Sequence, residues 1–337
     1  MKVNTVKAKE LILDVLKVGL VPCVVSSPGV GKSAIAAQIA EEQRLELIDI
    51  RLTQCDPTDL NGFPTLKEKK ASYLPMDTFP IEGDALPEGK RGWLLLLDEL
   101  PSAALAVQAA AYKLILDKMV GQHKLHPNVA IIAAGNKSTD RAIVNRMGTA
   151  MQSRMIHLGL DADVDAWKDW AIKEGIDHRI LAYINFKPDA LHKFDPNHND
   201  STFACPRTWE FLSKLIKKVE GSLTGKLPLV IGAVSEGIGR EFVGFCDIYT
   251  KLPTIEHIEV SPMTVEISDE PSIRYALSGL VANYLNKQNV VQLIKFIERL
   301  PIEFQIICLQ QSLKREPTLM TEPAITKWVQ LNSKELL

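Results

Sequence analysis

The sequence has no excess of charge of either sign and no long apolar run. Its 337 residues carry 39 Lys and Arg against 41 Asp and Glu, a net charge of −2. A protein whose main task is to coat nucleic acid needs a clustered basic surface, so this balance disfavours that class. No apolar stretch reaches the roughly 20 residues that span a bilayer, and the polar, periodic N-terminus is not typical of a secretory signal. We therefore predict no membrane insertion.

Cysteine is scarce and scattered. The chain has 5 cysteines, and no two of them have the spacing of metal ligands. This distribution predicts reduced thiols in a cytoplasmic protein. The polar segment 187–200 does contain residue types that bind metals, namely His192, His198, Asp189, Asp195 and Asp200. Their spacing fits no familiar metal site, and we interpret the segment as a solvated loop.

The first half of the chain alternates short apolar runs with helical patterns. Strands are expected at 21–26, 45–51, 92–97, 128–134 and 154–158, and the main helices at 5–18, 32–43 and 102–117. Continuous apolar strands separated by helices predict a five-stranded parallel sheet that is covered on both faces. We therefore expect an α/β core over residues 1–160.

The second half is helical almost throughout. Helices are expected at 164–174, 177–186, 206–219, 228–251, 271–286, 289–299 and 301–315. The segment 252–271 contains three prolines and alternating apolar residues, which predicts an extended crossing segment. Residues 161–337 are thus expected to form an α-helical lid and a C-terminal helical region.

A glycine-rich loop lies between the first predicted strand and an alanine-rich helix. The loop Ser26-Ser-Pro-Gly-Val-Gly-Lys-Ser33 fits the phosphate-binding pattern G-x-x-x-x-G-K-[ST] except at its first position, where Ser26 replaces glycine. Lys32 is expected to reach the β- and γ-phosphates of ATP, and Ser33 to bind Mg²⁺. The residues expected to contact the nucleotide are Ser27, Pro28, Gly29, Val30, Gly31, Lys32, Ser33 and Ala34. The alternative is a chance glycine-rich turn.

Polar side chains end two of the later predicted strands. Asp98 and Glu99 follow a run of four leucines, and two carboxylates at the end of a buried strand are costly unless they have a function. Beside a phosphate-binding loop, Asp98 is expected to hold the Mg²⁺ hydration shell and Glu99 to act as the general base toward the attacking water. Asn136 ends the next strand and is expected to orient that water. An acidic helix cap and a common Gly-Asn turn are the alternatives.

With these elements in this order, the sequence resembles the AAA+ superfamily of P-loop ATPases, and within it the MoxR-like branch of bacteria and their phages. The segment 55–62 resembles an element that follows the second strand in that branch. Residues 64–90, with the charged turn 67–70, correspond to its helix-2 insertion, and the segment 117–127 is similar to its hairpin before the fourth strand. The resemblance covers about residues 5–220 well and the final third less specifically.

The resemblance implies two functional arginines. Arg154 corresponds to the arginine finger, which acts on the nucleotide of a neighbouring subunit, with Arg141 and Arg146 as nearby alternatives. Arg207 corresponds to the sensor-2 arginine, which contacts phosphate from the lid. The residues alone leave open that Arg154 is an ordinary surface arginine and that Arg207 only caps its helix.

The resemblance also implies a function. It predicts an ATP- and Mg²⁺-dependent ring, expected to be a hexamer, that remodels or activates a protein partner in a chaperone-like manner. That partner often carries a von Willebrand factor A domain. A nucleic-acid motor or loader and a nucleotide-gated scaffold with negligible hydrolysis are the alternatives.

Overall fold

The computed structural model describes residues 2–67, 70–140, 145, 147–218, 222–249 and 252–332. The chain divides into two compact units. The sheet unit runs to Asp163 and also includes Asp195–Asn197. The helical unit comprises Val164–Phe194 and the chain from His198 onwards.

The sheet unit is built on parallel strands. The strands of the chain are β1 Lys2–Val3, β2 Val21–Ser26, β3 Leu45–Arg51, β4 Phe63–Lys67, β5 Lys70–Leu74, β6 Gly92–Asp98, β7 Met119–Val120, β8 His123–Lys124, β9 Val129–Asn136 and β10 Met155–Leu160. Six of them form one sheet in the order β1-β10-β2-β9-β6-β3, and every neighbouring pair is parallel. The predicted five-stranded parallel sheet is confirmed, with the two-residue β1 added at one edge.

Helices cover both faces of this sheet. They are α1 Thr5–Lys17, α2 Lys32–Glu42, α3 Pro57–Asn61, α4 Leu105–Asp117 and α5 Thr149–Gln152. Alternate residues of β6 face opposite sides, so Leu94 and Leu96 pack with α1 and α2, while Leu95 and Leu97 pack with α4. All four leucines are at most 1% exposed. This double burial explains why the strand is a continuous apolar run.

Two antiparallel hairpins are added to the sheet unit. The hairpin β4–β5 begins at Phe63, one residue before the predicted insertion at 64–90, and β7–β8 lies within the segment 117–127. The charged turn of the first hairpin joins Lys67 to Lys70, and residues 68 and 69 of that turn lie outside the described residues.

The helical unit contains ten α-helices in its described part. They are α6 Val164–Lys173, α7 His178–Phe186, α8 Pro206–Lys218, α9 Leu227–Val234, α10 Glu236–Tyr249, α11 Ile255–Val260, α12 Pro271–Tyr284, α13 Val290–Ile297, α14 Ile302–Arg315 and α15 Pro323–Leu331. One apolar core is centred on Trp209 and Phe242, and another on Phe296 and Phe304.

Two predictions for this unit were wrong. The single helix expected at 228–251 is broken at Ser235, whose φ of 83° lies outside the helical region. The segment 252–271 is not extended throughout, because Thr254 caps a short helix, α11, by accepting a hydrogen bond from the His257 amide at 3.3 Å. Pro253 and Pro262 lie on either side of that helix, and Pro271 begins α12.

Within the described residues, no helix is both long and apolar enough to cross a membrane. All five cysteines are free thiols. Burial raises the pKa of the Cys23 and Cys308 thiols to about 12, so both stay protonated at neutral pH.

Candidate nucleotide-binding site

The loop between β2 and α2 has the backbone of an anion-binding turn. Gly29 has a φ of 76° and Gly31 a φ of 103°, in the left-handed region that favours glycine. Gly31 caps α2, whose first residues are Lys32, Ser33 and Ala34. The amides of a first helical turn have no partner within their helix, and the helix dipole adds positive potential there. The loop therefore presents donors suited to a phosphate group.

The ammonium group of Lys32 lies between two strand ends. Its Nζ donates to Ser26 Oγ at 3.0 Å and to Asn136 Oδ1 at 2.9 Å. The sheet explains this meeting, because Ser26 and Asn136 are paired residues of the parallel strands β2 and β9. Since an ammonium can only donate, the contact orients the Asn136 amide, with Oδ1 toward Lys32 and the Nδ2 donors elsewhere.

A hydrogen bond also joins Ser33 to Asp98 in this site. Ser33 Oγ donates to Asp98 Oδ2 at 3.2 Å, although the two residues are 65 positions apart. A hydroxyl and a carboxylate are oxygen ligands of the kind that Mg²⁺ prefers, and Mg²⁺ takes few protein ligands when phosphates supply the others. The donor set therefore fits this ion.

Glu99 follows in an unusual backbone conformation. Its φ of 59° and ψ of 27° lie in the left-handed region, which is uncommon for a residue other than glycine and is often found at functional sites. Its carboxylate accepts a hydrogen bond from the Thr53 hydroxyl. β3 and β6 bring the two together, because Arg51 is paired with Asp98 at the ends of these strands. Thr53 could not be predicted from the sequence, since no motif surrounds it.

The segment after Glu99 is held by two amide side chains, of Gln108 and Asn145, that no sequence motif marks. The buried Gln108 donates to the carbonyl of Ala103 at 3.1 Å and to that of Pro101 at 3.4 Å. Asn145 donates to Ala103 O from its side chain and to Pro101 O from its backbone, both at 2.8 Å. These four bonds fix the turn that carries Glu99.

Acidic groups concentrate beside this turn. Burial raises the pKa of the Asp49 carboxyl, and the nearby charges of Asp98 and Glu99 raise it further, whereas Arg51 lowers it. The charges of Asp49 in β3, of Asp98 at the end of β6 and of Glu99 directly after it thus interact across these two paired strands. Such a region favours a bound cation, whose charge would offset their mutual repulsion.

Arg154 lies at the opposite end of the sheet. It precedes β10, whose first residue Met155 pairs with Val21, whereas the last residue of that strand pairs with Ser26. Five residue steps along β10 separate Met155 from the residue that pairs with Ser26, a distance of roughly 16 Å at the usual rise per residue. The exposed guanidinium donates to Ala150 O at 2.8 Å and lies 5.4 Å from the centroid of the Tyr112 ring.

The other predicted arginines cannot be placed in this site. Arg207 belongs to the helical unit, where it is exposed in the first turn of α8. Its phosphate contact stays a prediction. The alternatives Arg141 and Arg146 lie outside the described residues.

The comparison with protein families agrees with this geometry. Residues 22–155 match the ATPase family associated with various cellular activities (AAA). This segment of the chain is similar to that family. It begins within β2 and ends at the start of β10, so it includes the glycine-rich loop, the carboxylates, Asn136 and Arg154. The AAA+ P-loop fold expected from the sequence is thus confirmed, while the match ends before the helical unit begins.

No curated protein matches the chain. Among solved structures, it is similar to a candidate ATPase from Cytophaga hutchinsonii (16% identity, 90% of this chain and 79% of that one, TM-score 0.37). It is also similar to a mutant of Thermotoga maritima RuvB (16%, 96% and 86%, TM-score 0.39) and to NtrX from Brucella abortus (13%, 96% and 67%, TM-score 0.36). These TM-scores are too low to assign a function to this chain.

Proposed function

We propose that the chain is an ATP-hydrolysing ring ATPase of the MoxR-like type, which uses nucleotide turnover to remodel or activate a protein partner. One observation carries the catalytic part of this proposal. The ends of β2, β6 and β9 and the start of α2 bring together an ammonium, a hydroxyl, two carboxylates and an amide around a loop suited to phosphate.

Each of these groups has a role in the proposed reaction. The loop amides and Lys32 bind the phosphates, while Ser33 and Asp98 hold Mg²⁺, which neutralises charge on the phosphate oxygens when bound. Glu99 accepts the proton of the attacking water, and the Asn136 amide donors orient that water. The left-handed backbone at Glu99, supported by Gln108 and Asn145, keeps the base in position.

The position of Arg154 supports a ring. Its guanidinium lies at the far end of the sheet from Lys32 and is exposed, so it cannot serve the nucleotide of its own subunit from this position. An arginine supplied by a neighbouring subunit stabilises the charge on the transferred phosphoryl group. We therefore assign Arg154 as the finger acting between subunits, in a ring that the family resemblance suggests is a hexamer.

The partner is proposed from the family resemblance. It is a protein with a von Willebrand factor A domain. The ring binds this partner in the cytoplasm and remodels it as a chaperone would. The net charge of −2 supports a protein rather than a nucleic-acid load.

A mixing experiment tests the catalytic and the ring parts together. Glu99→Gln removes the base and Arg154→Ala removes the finger, so we expect each purified variant to lose ATP turnover by at least about a hundredfold. Mixed rings should regain turnover, because an intact Glu99 in one subunit can meet an intact Arg154 from its neighbour. The control is Arg91→Ala, an exposed arginine at the same end of the sheet, which should keep full turnover.

The outcomes separate the parts of the proposal. Unchanged turnover in Glu99→Gln refutes the base assignment. Two inactive variants that stay inactive when mixed, although they co-assemble, refute the action of Arg154 between subunits. Capture of bound proteins by ATP-loaded Glu99→Gln tests the partner, and turnover that rises with DNA in a strongly salt-dependent manner would favour a nucleic-acid motor instead.

A further inference from the structure

Ser26 is the residue at which the phosphate-binding loop departs from its usual pattern. The first position of G-x-x-x-x-G-K-[ST] is glycine, whereas this chain has serine there. The serine is 0% exposed, so its hydroxyl is removed from water. A buried hydroxyl is costly unless it is hydrogen-bonded. The bonds that it makes therefore indicate what it does.

The Ser26 hydroxyl both donates and accepts a hydrogen bond. It donates its single proton to the Ser27 carbonyl oxygen at 2.8 Å, which turns its lone pairs toward the ammonium of Lys32. Lys32 Nζ then donates to this oxygen at 3.0 Å and to Asn136 Oδ1 at 2.9 Å. Glycine at position 26 would leave only the second of these acceptors.

We propose that Ser26 is a positioning residue, which together with Asn136 sets the direction of the Lys32 ammonium toward the phosphates. A lysine side chain is long and flexible, and holding it by two fixed acceptors reduces the conformational entropy lost when it contacts an anion. This inference rests on the proposed function, because it requires that Lys32 binds the β- and γ-phosphates of ATP.

The role predicts an effect that depends on the number of phosphates. Lys32 can contact the β- and γ-phosphates of ATP, whereas ADP offers it only the β-phosphate. Loss of the Ser26 hydroxyl should therefore weaken a non-hydrolysable ATP analogue more than ADP. A hydroxyl needed only for folding would change the unfolding temperature, and it would not alter the ratio of the two affinities.

The test compares Ser26→Gly and Ser26→Ala with the unmodified chain by calorimetric titration with Mg²⁺ and each nucleotide. Both variants only remove atoms at the end of a strand, so neither creates a steric clash. We expect the Kd of the ATP analogue to rise about tenfold, as for one lost hydrogen bond to a charged group, and the Kd of ADP to rise less. Ser278→Ala, which removes another fully buried serine hydroxyl, in the helical unit, should leave both constants unchanged.

Ser26→Gly makes the test sharp, because it restores the usual pattern of the loop. Equal or tighter binding of the ATP analogue by this variant would overturn the inference and show that serine is merely tolerated. Equal losses for ATP analogue and ADP in both variants would overturn it as well, in favour of a structural role. Failure of the unmodified chain to bind either nucleotide would instead refute the proposed function.

Discussion

Gly135 offers the sharpest test of how the site is built. It lies in β9 directly before Asn136, and a Cβ at this position would lie 2.3 Å from Cδ and 2.5 Å from Cγ of Pro101. Ordinary contact begins at 3.4 Å, so Gly135→Ala must displace the proline ring by the difference of about 1.1 Å. Proline is rigid, and its segment is held by Gln108 and Asn145, so the strain cannot relax through a flexible side chain.

The magnitude follows from the cost of overpacking a buried site. We expect Gly135→Ala to lower the free energy of unfolding by about 2 kcal/mol, which in a unit of this size lowers its unfolding temperature by about 4 to 8 °C. Pro101 lies two residues after Glu99, so the same displacement should reach the proposed base. Misplacement by about 1 Å can cost up to about a hundredfold in rate, and we expect kcat to fall by at least about tenfold.

Calorimetric unfolding and steady-state ATP turnover measure the two effects. Gly148→Ala is the control, because a Cβ there meets nothing within 4 Å in the same unit. Pro101→Ala removes both clashing atoms, so the double variant should be more stable than the sum of the single effects predicts. An unchanged unfolding temperature in Gly135→Ala, or strictly additive effects in the double variant, would refute the steric reasoning.

Two further predictions concern stability. Gln108→Leu removes two donors from the turn after Glu99, but Asn145 still donates to both carbonyls, so urea unfolding should show a loss of only about 1 kcal/mol; a loss several times larger would contradict this account. Although burial raises the pKa of the Asp177 carboxyl, hydrogen bonds and charge from Arg179 outweigh it and hold the pKa below its usual 3.8. A lowered carboxyl pKa adds stability above pH 3.8 that disappears as the pH falls through the folded-state value. Asp177→Asn should therefore cost about 2 kcal/mol at pH 7 and progressively less below about pH 4 in urea titrations, and a cost that does not change with pH would contradict this.

The parallel sheet and the order of the motifs could be predicted because they depend on local patterns. Each buried strand is a continuous apolar run, and the loop before α2 needs glycine at positions 29 and 31 for its left-handed turns. These requirements act within a few residues, so the sequence displays them directly. The same holds for Asp98 and Glu99, whose placement after four leucines marks the end of a buried strand.

The breaks in the helical unit could not be predicted in the same way. The residues on both sides of Ser235 are helical, and only its left-handed φ of 83° separates α9 from α10. The helix Ile255–Val260 is too short for its apolar period to be recognised, and it is stabilised by packing of Ile255 and Ile258 into the core near Phe296. In both places tertiary contacts outweigh local propensity.

The sequence by itself determined which chemical groups are available beside the glycine-rich loop: Lys32, Ser33, the paired carboxylates and Asn136. Only the tertiary structure decided which of them touch. The register of β2 with β9 places Ser26 and Asn136 on either side of Lys32, and the register of β3 with β6 places Thr53 against Glu99. Strand register joins residues that are distant in the chain, and no local pattern encodes it, because pairing depends on how whole faces of the sheet are buried.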